Sequence, residues 1–238
     1  MKLDILVFSV HPDDAELGCS GTILSHIAMG KKVGVVDLTQ GELGTRGNAE
    51  LRLQEADDAS EILKLSAREN LGFRDGFFTI DEDHLLSVIR IIRKFQPEIV
   101  IANAIEDRHP DHGRASDLVA EASFLSGLRK IKTSLDGESQ AAWRPRKVYN
   151  FIQDRYIKPD LIVDISDFWD EKVKSILAYK SQFYNPENDE PETYISSPEF
   201  LKFVEARAME YGHYIGVKYG EGFTCRQRVG VKNLFDLL

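Results

Sequence analysis

The first hundred residues alternate between two hydrophobic patterns. Leu3 to Val10 (LDILVFSV) and Val33 to Leu38 (VGVVDL) are short, nearly continuous apolar runs rich in β-branched residues, the signature of strands buried on both faces. Between them, Leu17 to Gly30 is spaced like a helix. A glycine-rich stretch, Thr39 to Gly47, leads into a long amphipathic helix predicted from about Ala49 to Leu65, and Arg68 to Leu71 reads as a short strand. Asp83 to Phe95 (DHLLSVIRIIRKF) has helical periodicity and Pro97 stops it. Ile99 to Ala102 is a further apolar strand, followed by a polar loop, Glu106 to His112, and a helix from about Ala115 to Leu128.

The pattern is less regular afterwards. Val148 to Phe151 and Leu161 to Ile165 predict strands; Asp167 to Phe183 and Pro198 to Gly212 predict helices. Asn185 to Ser197, punctuated by Pro186 and Pro191, reads as an exposed loop. Strands alternating with helices at this spacing predict an α/β fold. The expected architecture is a Rossmann-like, mostly parallel, doubly wound sheet, one domain over residues 1–238 with a less regular C-terminal third.

Charge narrows the partners. Thirty basic against 39 acidic side chains give −9 at pH 7, which repels a phosphate backbone, so no nucleic acid and no membrane surface is expected as partner. An anionic small substrate stays compatible, because a few arginines can reverse the field inside a cleft. Cys19 and Cys225, far apart, are expected to be reduced buried thiols. The apolar N-terminal run lacks a cleavage region and no apolar run approaches about 18 residues, which predicts a cytoplasmic protein. Gly18, Gly21, Gly41, Gly44 and Gly47 fit neither phosphate-loop pattern; Gly41 to Gly47 is read as a mobile rim around a substrate.

In open α/β sheets, ligands bind beyond the carboxyl ends of the strands. Two polar clusters fall at such places: His11-Pro12-Asp13-Asp14 with Glu16, and Glu106-Asp107-Arg108-His109-Pro110-Asp111-His112. A catalytic zinc takes three protein ligands and leaves one position open. His11, Asp14 and His112 meet that count, with Asp13 beside them as a base; spacing alone equally allows Asp13 as ligand and Asp14 as base. His109 is left free to support an oxyanion or protonate a leaving amine, and Asp111 to orient its ring.

The stretches VHPDDAELGCSGT (10–22), TQGELGTRG (39–47), ELR (50–52) and EDRHPDHGRAS (106–116) resemble the LmbE family of zinc-dependent N-acetylglucosaminyl deacetylases, as do YKSQF (179–183) and GVKYGEGF (216–223). The resemblance implies a zinc ion (other divalent ions such as Fe2+ being compatible) on His11, Asp14 and His112, and Asp13 as base. It implies His109 as oxyanion support with Asp111 behind it, and Arg52 on sugar hydroxyls. Arg108 is a candidate for a malyl carboxylate, or else pairs with Glu106 or Asp107. Tyr194 is a candidate for the tyrosine that the family brings from its C-terminal third. The implied substrate is an N-acetylglucosaminide, above all N-acetylglucosaminyl-malate of bacillithiol biosynthesis, with a chitooligosaccharide as alternative, and the implied assembly is a homo-oligomer. Two rivals remain on residue types alone: a non-haem iron oxygenase, since two His and one carboxylate also make a facial triad, and a sugar-binding protein without catalysis.

Overall fold

The computed structural model describes residues 1–237. Among them, nine strands and six helices follow in the order β1 (Ile5–Ser9), α1 (Asp14–Ala28), β2 (Val33–Thr39), α2 (Ala49–Leu63), β3 (Ala67–Phe73), α3 (Glu82–Phe95), β4 (Ile99–Ala102), α4 (Pro110–Leu125), β5 (Ser134–Leu135), β6 (Glu138–Ser139), β7 (Lys147–Phe151), β8 (Leu161–Asp164), α5 (Trp169–Leu177), α6 (Phe200–Ile215) and β9 (Gly220–Cys225). Seven strands form one sheet in the order β3-β2-β1-β4-β7-β9-β8, and β5 and β6 make a separate two-stranded hairpin. β3, β2, β1, β4 and β7 run parallel; β9 is antiparallel to both β7 and β8. This is the expected α/β, mostly parallel, doubly wound sheet.

Every residue of β1 and β2 is buried, as their unbroken apolar runs require of strands covered on both faces. Phe8, Leu6, Val36 and Leu38 face α3 and α4 on one side. Ile5, Val7, Val33 and Val35 face Ala15, Cys19 and Ile23 of α1 on the other. Chain order reverses between β1, which leads outward to β2 and β3, and β4, which starts the second half of the sheet. That reversal opens a crevice between the segments following β1 and β4, where open α/β sheets bind ligands.

Several expectations need correcting. α1 begins at Asp14 rather than Leu17, and α4 at Pro110 rather than Ala115, so both polar clusters run into first helical turns. Proline fits there because the first helical N–H has no intrahelical partner to lose. β3 spans seven residues, not four. The helix expected over Asp167 to Phe183 is α5 alone, nine residues, followed by turns. Neither β9 nor the hairpin was expected. The glycines of β9 disguise a strand because α6 presses on it: a Cβ on Gly220 would lie 3.0 Å from Gly212 N, and one on Gly222 would lie 2.7 Å from the Tyr211 ring. Both thiols are free; Cys19 is buried as expected, whereas Cys225 is only half-buried. Among the described residues no helix is long and apolar enough to cross a membrane.

Candidate metal centre

β1 ends at Ser9, and the turn after it throws His11, Asp13 and Asp14 to the mouth of the crevice. β4 ends at Ala102 and delivers Asn103, Asp107, His109 and His112 to the same place. Asp14 stands between the two imidazoles, its Oδ1 3.3 Å from His112 Nε2 and its Oδ2 3.5 Å from His11 Nδ1. Zinc–donor bonds of about 2.0–2.1 Å at tetrahedral angles set neighbouring donors about 3.3 Å apart, so Asp14 stands at a ligand-like separation from each imidazole, with one oxygen toward each ring.

The outer partners fix that orientation. His112 Nδ1 lies 2.6 Å from Asp107 Oδ2, and His11 Nε2 lies 2.9 Å from Asp75 Oδ1. Each ring thus donates an N–H outward to a carboxylate and turns its other nitrogen toward Asp14, an arrangement common to metal-binding histidines. Asp14 itself accepts from Asn103 Nδ2 at 3.0 Å, Gln153 Nε2 at 2.7 Å and the His11 backbone N–H at 3.0 Å. Asp107 is held by the backbone N–H groups of Arg108 and Arg155, both at 2.8 Å.

The electrostatics favour a cation. Burial alone would lower both imidazole pKa values, but Asp14, aided by Asp75 at His11 and Asp107 at His112, raises His11 to about 9 and His112 to about 10. Asp14 goes the other way: the two rings hold its carboxyl well below the usual range despite its burial. Carboxylates that bind protons so firmly on these rings attract a divalent ion for the same reason. Two other donor sets lie close by, His11–His109–His112 and His11–Asp75–Asp111, each with donor atoms within 4.8 Å of one another. His11 and His112 belong to the first of these sets, and Asp14 lies against both of them. Asp75 already accepts from His11 and the Leu43 N–H, and Asp111 from Gly76 N at 2.8 Å and Arg114 Nη1 at 2.6 Å.

Asp13 is held apart from the ligand cluster. Its backbone has φ 132°, a conformation L side chains rarely adopt, and it is buried. Such strain persists only where surroundings impose it. Arg52 does so, donating from Nη2 to Asp13 Oδ2 at 2.6 Å and from Nε to Pro12 O at 3.0 Å. Gly41, at φ +64°, lets that guanidinium lie against backbone: a Cβ there would meet Arg52 Nη1 at 2.6 Å. Burial pushes the Asp13 carboxyl up to about 6, with Arg52 opposing the shift. His109 is lowered, by burial first and then by the charges of His11 and His112. Its Nδ1 accepts from the Asp111 N–H at 3.3 Å, so a neutral ring carries its proton on Nε2, and its ring centroid lies 4.7 Å from that of His11.

The sequence of residues 6–123 matches the PIG-L family, described as GlcNAc-PI de-N-acetylase. The crystal structure of the conserved protein TT1542 from Thermus thermophilus is 37% identical, with TM-score 0.85 over 98% of both chains. N,N'-diacetylchitobiose deacetylase from Pyrococcus horikoshii is 30% identical, with TM-score 0.79 over 92% of this chain and 82% of its own. A probable N-acetyl-alpha-D-glucosaminyl L-malate deacetylase 2 of Bacillus anthracis is 30% identical over 75% of this chain and 81% of its length. This chain belongs to the PIG-L/LmbE-like deacetylase family.

In this deacetylase the crevice brings His11, Asp13, Asp14, Arg52, His109 and His112 around one cleft of about 310 Å³. Other expected residues stand differently. The hydrogen bonds of the Asp111 carboxylate go to the Gly76 turn and Arg114, and it is the Asp111 backbone N–H that meets the His109 ring. Arg108 meets Asp107 through its backbone N–H alone; its side-chain Nε lies 3.6 Å from Asp154, and its guanidinium stacks 4.5 Å from the Tyr194 ring centroid. Tyr194 is half-exposed on the cleft rim, on a 3-10 turn (Tyr194–Ser196) closed by Thr193 and Ser196. Asp75, Asn103 and Gln153 were missed. Each follows a sheet strand, at the same end as the two clusters, so strand-end position was the available signal.

Asp107 gives a test that leaves the proposed ligands untouched. Asp107→Asn should weaken divalent-ion affinity by about 10–100-fold, because His112 loses a charged acceptor for its outer N–H. Chelator competition measures it, and an unchanged affinity would show that the pairing is not coupled to metal binding.

Proposed function

We propose that this deacetylase hydrolyses the N-acetyl group of an N-acetylglucosaminide, with His11, Asp14 and His112 holding a divalent ion, zinc by their donor types. The observation that carries this is Asp14 set within 3.5 Å of His11 and 3.3 Å of His112, beside a second buried carboxylate, Asp13, held by Arg52. The ion, when bound, supplies a Lewis acid that acidifies water and polarises the amide carbonyl.

Asp13 takes the proton of the attacking water on its carboxylate, Arg52 fixing the carboxylate's direction through the 2.6 Å contact. His109 Nε2–H donates to the oxygen of the tetrahedral intermediate, where negative charge develops. The proton held by Asp13 then passes to the departing amine, the C–N bond breaks, and acetate and a free amino sugar leave. Arg52 and Thr45 line the same cleft and offer donors to sugar hydroxyls; Gln182 lines it too, its amide N–H groups held by Arg46 O and Ser181 Oγ. Tyr194 supplies a ring at the rim, and Asp111 acts on the site through Gly76.

Malate is the aglycone that Arg108 suits, since its guanidinium is half-exposed at the cleft, stacked on Tyr194, with Asp154 at 3.6 Å as its carboxylate neighbour. Diacetylchitobiose is the second reading, favoured by the structural likeness over 92% of this chain to a deacetylase of that sugar. Acetate release across N-acetylglucosaminyl-malate, diacetylchitobiose and simple N-acetylglucosaminides, with and without chelator, separates them. Loss of all release with chelator and preference for the malate conjugate are expected; release from none of them would reject the reading. We propose further that the chain works as one domain in the cytoplasm and as a homo-oligomer, which sedimentation of the purified protein would test.

A further inference from the structure

A second cavity, of about 180 Å³, opens off the metal cleft. The two share His109, His112, Gln153 and Tyr194 among other residues, so they meet at the edges of the two imidazoles. Beyond that junction their chemistry diverges. The first is bounded by Asp13, Thr45, Arg52, Asp75 and Gln182, groups suited to hydroxyls. The second is walled by Ile152 at the end of β7 and by Phe200, Val204 and Ala208 of α6. Those three α6 residues follow one another at intervals of four, a single helical stripe. Phe200, Ala208 and Ile152 are buried, so the wall is packed in place. Most of its charged members are occupied, Lys172 with Glu221 at 2.8 Å, Asp107 with His112 at 2.6 Å and Arg207 Nη2 with Asp154 O at 3.1 Å, while Arg207 Nη1 is buried along the wall without a hydrogen-bond partner.

An amide held at this centre has three arms. Its oxygen lies by the ion site and His109, its nitrogen carries the sugar, and its acyl carbon must point elsewhere. If the sugar takes the hydroxyl-binding cleft, the acyl arm enters the apolar cavity. A methyl group occupies little of it: a dry cavity of about 150 Å³ accommodates benzene, six carbons. We infer that this cavity is an acyl-chain pocket, and that the enzyme hydrolyses N-acylglucosaminides with linear acyl groups from acetyl to about six carbons. The step is the same hydrolysis: water adds across the amide, its oxygen ends in the released fatty carboxylate, and its protons end on the amine.

The inference rests on the deacylase reading above, and its test keeps the two apart. Turnover of N-acetyl-, N-propionyl-, N-butyryl- and N-hexanoylglucosamine is followed in metal-loaded protein by appearance of free amine. A pocket cut to fit a methyl rejects one extra methylene by about tenfold or more, whereas here kcat/KM should stay within about tenfold of the acetyl value through butyryl. Hexanoate should inhibit acetyl hydrolysis at lower concentration than acetate does. Val204→Phe, which narrows the cavity, should lower the hexanoyl-to-acetyl ratio at least tenfold; the inhibition measurement on unaltered protein stands even if that variant misfolds. Hydrolysis of acetyl with hundredfold rejection of propionyl would overturn the acyl pocket and leave the deacetylase. So would a Val204→Phe protein that loses disaccharides selectively while its acyl profile is unchanged, since the cavity would then hold the aglycone. No amine from any substrate would reject the underlying reading instead.

Discussion

Asp13→Asn is expected to lower kcat/KM by about 10²–10⁴-fold while metal content stays that of the unaltered protein. Asparagine keeps the shape of the side chain and leaves an oxygen to accept from Arg52, so the 2.6 Å contact and the strained turn have the same geometry to form. What it lacks is a lone pair basic enough to take a proton from water. His11 and Asp14 lie immediately beside it, so metal must be assayed in the same preparation. Turnover close to that of unaltered protein, with metal bound, would remove Asp13 from the chemistry. The pH profile supplies an independent reading. A base must be deprotonated to work, and burial raises the Asp13 carboxyl to about 6. Activity therefore falls as pH drops through that region, and a neighbouring divalent cation moves the fall lower. The Asn variant's residual activity should lose this acid limb.

The parts legible in the sequence were those whose cause is local. β1 could be read from eight residues because a strand buried on both faces needs nothing but apolar side chains. The HPDD and HPDH clusters could be read because metal donors and a base came packaged within a few positions after a strand. The boundaries were misread because the same residues serve two ends: His109 is the N-cap of α4, and Asp14 opens α1 while facing both imidazoles.

What stayed hidden depends on distant partners. Asp75 follows β3, a strand whose sequence ARENLGF is half-polar because no residue in it is fully buried, so its end did not advertise a site. The glycines of β9 make sense only once Tyr211 and Gly212 of α6 are known to press on them. Arg68 reads as a strand residue, yet it lies between Glu16 at 2.6 Å and Asp37 at 2.8 Å, with Tyr179 also donating to Glu16. That network ties β3 to the first turn of α1, a link without any pattern along the chain.

Lys172→Met is expected to destabilise the fold by about 3–5 kcal/mol, the usual cost of leaving one member of a buried ion pair without its partner. In a chain this long that corresponds to a fall in melting temperature of roughly 10 °C. The reason lies in α1, which is not one continuous helix: Cys19 has φ −151° and ψ 17°, and the spiral breaks there. A break frees carbonyls before it and N–H groups after it, and in the interior both need partners. Lys172 Nζ donates to Glu16 O at 3.0 Å and Leu17 O at 2.8 Å. Glu221 accepts from Gly21 N at 3.0 Å and Thr22 N at 2.7 Å, and Lys172 and Glu221 meet at 2.8 Å. Methionine fills the volume of lysine but takes away the donor to the Leu17 carbonyl and the counter-charge of the buried Glu221 carboxylate, while Glu16 O keeps Ser20 Oγ at 2.7 Å. The double variant Lys172→Met/Glu221→Leu removes the stranded charge and should recover part of the loss. It should not recover all of it, because the backbone groups at the break stay unpaired at about 1–3 kcal/mol each. Urea unfolding of the three proteins measures this, and a single-variant loss under about 1 kcal/mol would show that the break needs no such clamp. Asp14 sits one turn ahead of the break, so the destabilised proteins should also bind divalent ions more weakly; unchanged affinity would confine the pair's role to stability.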